Sequence, residues 1–221
     1  MGQDTIGGHV IRKDRRYVML QRHLQQSKPE GACPTDWGSA WPLKWEVVTS
    51  QAQRIQDAYT RDLTIAFAGV SKLTRTLQTM ALVVPQARRI ERMEALTPLD
   101  YHNERGTWNS LASLKTETAE EIEGLDPKLF SVCGNQVVAA IFAACGEIRN
   151  GEIAFLVSHN PLCEAGLVKF LGSISKMPFA NFAKGDIVLF EFENGRQIDA
   201  HFLLVPPEPD KQGIVDRPPH L

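Results

Sequence analysis

Two arginines and two histidines carry the chemistry on offer in this sequence: Arg22 beside His23, Arg75 well downstream, and His159 in the last third of the chain. A planar guanidinium donates two parallel hydrogen bonds to phosphoryl oxygens, and a neutral imidazole is able to attack phosphorus. Taken singly, each has a plainer explanation. An Arg-His dipeptide is ordinarily a solvated arginine next to a surface histidine, and a histidine at a strand end is often a hydrogen-bonded core residue. Their positions make the set informative, because each one follows an apolar run of strand length.

The first run, Tyr17–Gln21, ends in Arg22-His23. The second, Ile65–Val70, leads into Ser71-Lys72-Leu73-Thr74-Arg75-Thr76-Leu77-Gln78-Thr79, where Ser71 reads as a helix cap and Leu73 and Leu77 share one helical face. Arg75 then lies near a helix N-terminus, where its charge opposes the helix dipole unless an anion sits between them. The third, Ile153–Ser158, runs into His159-Asn160-Pro161, with the proline suited to a first helical turn.

The remaining segments alternate in the same way. Ser27 to Lys44 reads as a loop containing Trp37 and Trp41, and Thr49-Ser50 with Gln53 resembles a capping box at the start of a helix. A polar stretch covers Pro85 to Trp108, followed by helical patterns over Asn109–Glu123 and Pro127–Glu147 and a further helix over Pro161–Leu171. Ile187–Glu193 and Arg196–Val205 flank Asn194-Gly195, the signature of a tight hairpin, and the proline-rich tail from Pro206 reads as loose. Short continuous apolar strands alternating with helices predict an α/β fold, a mainly parallel sheet covered on both faces with a C-terminal β-hairpin. In such sheets ligands gather at the carboxyl ends of the strands, which is where all four residues fall.

Composition narrows the function classes. The chain has 221 residues, 43% hydrophobic and 23% charged, which excludes a disordered or collagen-like polymer and predicts one domain with its core over about residues 17–205. A formal net charge of −2 gives no general affinity for nucleic acid. The longest uninterrupted apolar run, Val137 to Cys145, falls short of a membrane span, and Met1 to Arg16 has no signal-peptide pattern, so a cytoplasmic protein without membrane attachment is expected. Cys33, Cys133, Cys145 and Cys163 form no C-x-x-C pair and read as free thiols in a reducing compartment. Neither an H-x-x-x-H pattern nor carboxylates at ligand spacing point to a metal, and no cofactor is implied.

These motifs resemble those of the histidine phosphatase superfamily, the phosphoglycerate-mutase-like group, over about residues 17–170. Val18-Met19-Leu20-Gln21-Arg22-His23 is similar to the strand that ends in Arg-His-Gly, with Leu24 in the glycine's place. Ser71 to Thr79 is similar to Ser-Pro-Leu-x-Arg-x-x-Gln-Thr with Lys72 in place of proline, and Val157 to Asn160 to Val-x-His-x. The resemblance implies a three-layer α/β/α fold and a metal-independent phosphatase. In it His23 becomes transiently phosphorylated, while Arg22, Arg75 and His159 hold the phosphoryl group. It also implies a general acid after the second motif: Glu104, in Asn103-Glu104-Arg105-Gly106, is the first choice, with Asp100 and Glu94 as alternatives. Substrates would be small phosphoesters, or phosphoproteins carrying phosphohistidine, whose nitrogen leaving group needs less help from an acid. Rival readings are a mutase, disfavoured by the short segment between Thr79 and Trp108, a non-catalytic phosphate-binding module, and coincidence. His23 and His159 on opposite sides of the sheet would establish the last. The free edge of the C-terminal hairpin leaves the oligomeric state open.

Overall fold

The computed structural model describes residues 5–27, 43–84, 86–97, 118–178 and 182–205. Within them the chain runs β1 (Thr5–Ile6), β2 (His9–Val10), β3 (Arg16–Arg22), α1 (Trp45–Ile55), β4 (Ile65–Val70), α2 (Thr74–Val83), β5 (Ile90–Arg92), α3 (Ala119–Leu125), α4 (Pro127–Gly146), β6 (Ile153–Ser158), α5 (Leu162–Leu171), β7 (Ile187–Glu193) and β8 (Arg196–Leu203). The main sheet has the order β5-β4-β6-β3-β7-β8, and a separate two-stranded sheet pairs β1 with β2. The β5–β4, β4–β6 and β6–β3 pairs are parallel, and β3–β7 and β7–β8 are antiparallel. This is the expected mainly parallel sheet with its C-terminal hairpin.

The strands read as continuous apolar runs because both faces are covered. On β3, Tyr17 and Met19 face the layer containing Val48, Ala52, Met80 and Val83 of α1 and α2. Val18 and Leu20 face Phe130, Cys133, Val137 and Leu162 of α4 and α5. Period-two alternation thus sends successive apolar residues into opposite cores. On β4 a register irregularity between Ile65 and Phe67 lets Ile65 and Ala68 join one core and Phe67 the other. At the hairpin, Asn194 and Gly195 take φ of 50° and 77°, the left-handed geometry that the Asn-Gly pair accommodates.

Several local expectations are corrected. Helix α1 begins at Trp45, so Thr49 and Ser50 lie inside it. Their hydroxyls donate back to the carbonyls of Trp45 and Val47 at 2.9 and 3.4 Å, the way such side chains are accommodated mid-helix. The cap of α2 is Leu73, not Ser71, and Pro161 occupies the cap position of α5 rather than its first turn. The expected polar stretch contains β5, a three-residue exposed edge strand too short to print an alternating pattern. Thr118 and Glu121 make a true capping box at α3, while residues 109–117 of the expected helix lie outside the described residues.

Helix α4 spans 20 residues and is long and apolar enough, by length and composition alone, to cross a membrane; 44% of that stretch is buried within the fold. Glutamine and glycine punctuation hid this length from the count of uninterrupted apolar residues. Cys133, Cys145 and Cys163 are free and buried, and burial pushes the Cys133 thiol up to about 12. Such thiols are inert packing residues, whereas Cys33 lies outside the described residues.

Candidate active site

Parallel register brings the three strand ends level. Arg22 pairs with Ser158 across β3 and β6, and Val70 with Val157 across β4 and β6. The next residues, His23, Ser71 and His159, therefore emerge side by side. The His23 amide donates to the Ser158 carbonyl at 3.0 Å, and the His23 and His159 rings stand 5.0 Å apart between centroids. All four expected residues are buried, from 5% exposure at Arg22 and His23 to 1% at His159. The reading of the motifs as coincidence fails on this geometry.

His23 has a defined tautomer. The Arg75 guanidinium donates through Nε to His23 Nε2 at 3.3 Å. Because arginine is only a donor, Nε2 must carry a lone pair. The proton then sits on Nδ1, which donates to the Leu24 carbonyl at 2.7 Å. Burial first, then the charges of Arg75 and Arg22, hold this imidazole well below its usual pKa. Burial, Arg75 and His23 do the same to His159. Both rings are neutral at neutral pH.

The second motif holds the loop that follows His23. Thr79 Oγ1 accepts from the Leu24 amide at 3.0 Å, and Gln78 Oε1 accepts from the Leu43 amide at 3.0 Å. Among the described residues, Asn194 is the one non-glycine with positive φ, so Leu24 sits in ordinary backbone and needs none of glycine's freedom. Its side chain is fully buried in the core shared with Leu43 and Val48. Gly185 is the position that does demand glycine. It has φ of 92°, its amide donates to the Arg22 carbonyl at 2.9 Å, and an added Cβ would come within 2.7 Å of Gln51 Nε2. Lys72 in the proline position uses the N–H that proline lacks, donating to Thr97 Oγ1 at 3.0 Å, while its Nζ pairs with Glu94.

Two residues of the site escaped sequence reasoning. Ser71 Oγ lies 2.6 Å from His159 Nε2 and 3.0 Å from Thr76 Oγ1, and it accepts from the Leu73 amide. It braces the second histidine instead of capping a helix. Glu164, in the first turn of α5 and fully buried, stands 3.5 Å from Arg22 Nη1, which also donates to the Phe182 carbonyl at 2.8 Å. An acidic residue in a first helical turn is common enough that nothing in the sequence set it apart. Of the acid candidates, Glu94 is exposed and paired with Lys72, whereas Glu104 and Asp100 lie outside the described residues.

The depressed histidines set a pH dependence for stability. In the unfolded chain both titrate near the ordinary 6.5, so below that pH the unfolded state binds protons that the folded state refuses. Their contribution is complete above about pH 6.5 and falls as pH drops below it, by up to about 1.4 kcal/mol per pH unit for each histidine. Urea unfolding at a series of pH values between about 5 and 7 is expected to show this slope, and His159→Asn should remove about one proton from it. An unchanged slope in that variant would mean His159 is not held neutral.

No protein-family model matches the chain, and no curated protein matches its sequence. Solved structures do match its fold. A phosphoserine phosphatase from Entamoeba histolytica, in complex with 3-phosphoglyceric acid, aligns with a TM-score of 0.57 at 15% identity, covering 85% of this chain and 96% of that one. Bacillus stearothermophilus YhfR aligns at 0.56 and 14% identity over 83% and 94% of the two chains. A phosphoglycerate mutase from Bacillus anthracis str. Sterne aligns at 0.54 and 14% over 84% and 92%. The fold is therefore the phosphoglycerate-mutase-like one, and the three-layer expectation holds.

Proposed function

We propose that the chain is a phosphatase that transfers the phosphoryl group of a phosphomonoester or phosphohistidine to His23 and then to water. The observation that carries this reading is the His23 tautomer. With Nδ1–H committed to the Leu24 carbonyl, the lone pair of Nε2 is directed to Arg75, the side chain suited to bind the phosphoryl oxygens. In the first step Arg75 shifts its donors from Nε2 to the phosphoryl group. Nε2 then bonds to phosphorus as the bond to the leaving group breaks. Arg22, Arg75 and His159 meet the charge on the equatorial oxygens, a preorganised role that replaces a cation. His159 contributes through Nδ1, which has no hydrogen-bond partner among the described residues. Glu104, with Asp100 and Glu94 as alternatives, protonates an alkoxide leaving group. In the second step water attacks phosphorus, the same carboxylate takes its proton, and the nitrogen–phosphorus bond breaks to release inorganic phosphate.

The test is to trap the intermediate. Protein quenched during turnover of a phosphate-labelled aryl ester should carry label that is stable to alkali and lost in acid, as a nitrogen–phosphorus bond is, and His23→Ala should carry none. Label retained in His23→Ala would overturn the assignment.

Beside this site is a pocket of about 420 Å³ lined by Gln25, Lys44, Val47, Gln51, Arg54 and Lys184. Lys184 is close enough for its charge to lower the His23 pKa. Three cationic side chains around one cavity favour a substrate with a second anionic group. The Arg54→Ala, Lys184→Ala double variant is expected to raise KM for such a substrate by about tenfold or more. KM for an aryl phosphate with no anionic group besides the phosphoryl one should barely move, and an equal rise for both would refute the pocket's role.

A further inference from the structure

Away from the catalytic crevice, three residues that are distant in sequence meet on the face of the sheet shared with Tyr17. Glu191 of β7 pairs with Tyr17, at the opposite end of β3 from Arg22 and about 17 Å away along the strand. Asp199 faces Glu191 across the β7–β8 ladder, and His201 follows two residues later on the same face. The β1–β2 hairpin lays His9 over this group. His9 Nε2 is 3.4 Å from Glu191 Oε2, and His201 Nε2 is 3.9 Å from Glu191 Oε2 and 3.4 Å from Asp199 Oδ2. One donor atom from each of His9, Glu191 and His201 lies within 4.8 Å of the others.

We infer that His9, Glu191 and His201, joined by Asp199, form a binding site for a divalent cation of the zinc class. Four observations support it. Tetrahedral zinc with nitrogen and oxygen ligands near 2.1 Å separates its donors by about 3.4 Å, close to the spacings here. The donor set, two imidazoles with carboxylate, is the one that zinc favours over magnesium or calcium. Both histidine Nε2 atoms are buried from solvent and, among the described residues, face carboxylate oxygens at 3.4–3.9 Å without a well-aligned hydrogen bond. Finally, Arg15 lies 3.6 Å from Glu191 Oε1 and 2.7 Å from Glu193, so the opposite oxygen of Glu191, Oε2, remains for a ligand bond. Counting Arg15 against Glu193 leaves Glu191 and Asp199 with two formal negative charges for a dication. The histidine side chains are 21% and 29% exposed, which leaves an entry path and room for the rings to rotate onto the ion.

The bound ion would pin the N-terminal hairpin to the C-terminal one. It has no part in phosphoryl transfer, and the inference stands whatever the activity proves to be. The experiment is calorimetric titration of the EDTA-stripped full-length chain with Zn²⁺ alone, followed by thermal unfolding. One equivalent is expected to bind, raising Tm by about 5–10 °C at saturation. His9→Asn and His201→Asn should each remove both effects while phosphatase turnover stays at the wild-type level. With Co²⁺ in place of zinc, d–d absorption should appear without a thiolate charge-transfer band. Absence of binding, binding undiminished in both variants, or a thiolate band would overturn the site.

Discussion

Replacing His23 with alanine is expected to lower turnover of an aryl phosphate by about 10⁴-fold or more, with EDTA present throughout. The size of the loss follows from the site's construction. In the proposed mechanism Arg22, Arg75 and His159 bind and polarise the phosphoryl group while His23 attacks it. With Nδ1–H of His159 turned to the phosphoryl group, the Nε2 lone pair of that ring is taken up by Ser71 Oγ at 2.6 Å, so His159 is no substitute nucleophile. An aryl ester is the right substrate because its good leaving group removes dependence on the general acid. KM should change little, since the groups proposed to hold phosphate remain. If turnover survives His23→Ala, or if EDTA abolishes it in the wild type, the phosphohistidine mechanism is wrong.

The second large effect concerns stability. Glu164→Gln keeps the volume of a fully buried side chain but leaves the Arg22 guanidinium without its carboxylate partner. Breaking one side of a buried ion pair costs about 3–5 kcal/mol. For a chain of this length, that lowers Tm by roughly 6–20 °C. Removing both charges, as in Arg22→Met with Glu164→Leu, should recover most of that loss, because two apolar side chains need no mutual compensation. Activity should not recover with it. Glu164 is therefore read as the residue that holds Arg22 in place, bought at a desolvation cost an apolar core would avoid. A Glu164→Gln protein as stable as wild type would sink this account.

These effects trace back to features of different legibility. The three strands that end in the site were readable because a buried parallel strand leaves a local imprint, an unbroken run such as Ile153–Ser158. The residues just after them were readable because strand ends in such sheets collect ligands. Helix starts were less so. Ser71 has the composition of a cap, yet its hydroxyl is taken by His159, and Leu73 begins the helix without a side-chain cap. A hydroxyl next to a strand end has two uses, and only the neighbouring strand decides between them.

From the amino-acid order alone came the α/β class, the sheet covered on both faces, the C-terminal hairpin, and Arg22, His23, Arg75 and His159 as one candidate group. Each rests on an unbroken apolar run and the residues that end it, on a helical period of 3.6, or on a turn dipeptide, and so on contacts within a few residues. Tertiary structure alone decided what those residues do to one another. It placed the Arg75 donor on His23 Nε2, set Glu164 behind Arg22, and brought His9, Glu191 and His201 together from the two ends of the chain. Such contacts depend on strand order and register. A one-residue slip in register would turn Glu191 to the opposite face of the sheet, and no local pattern around His9 or His201 records which residue stands across from them.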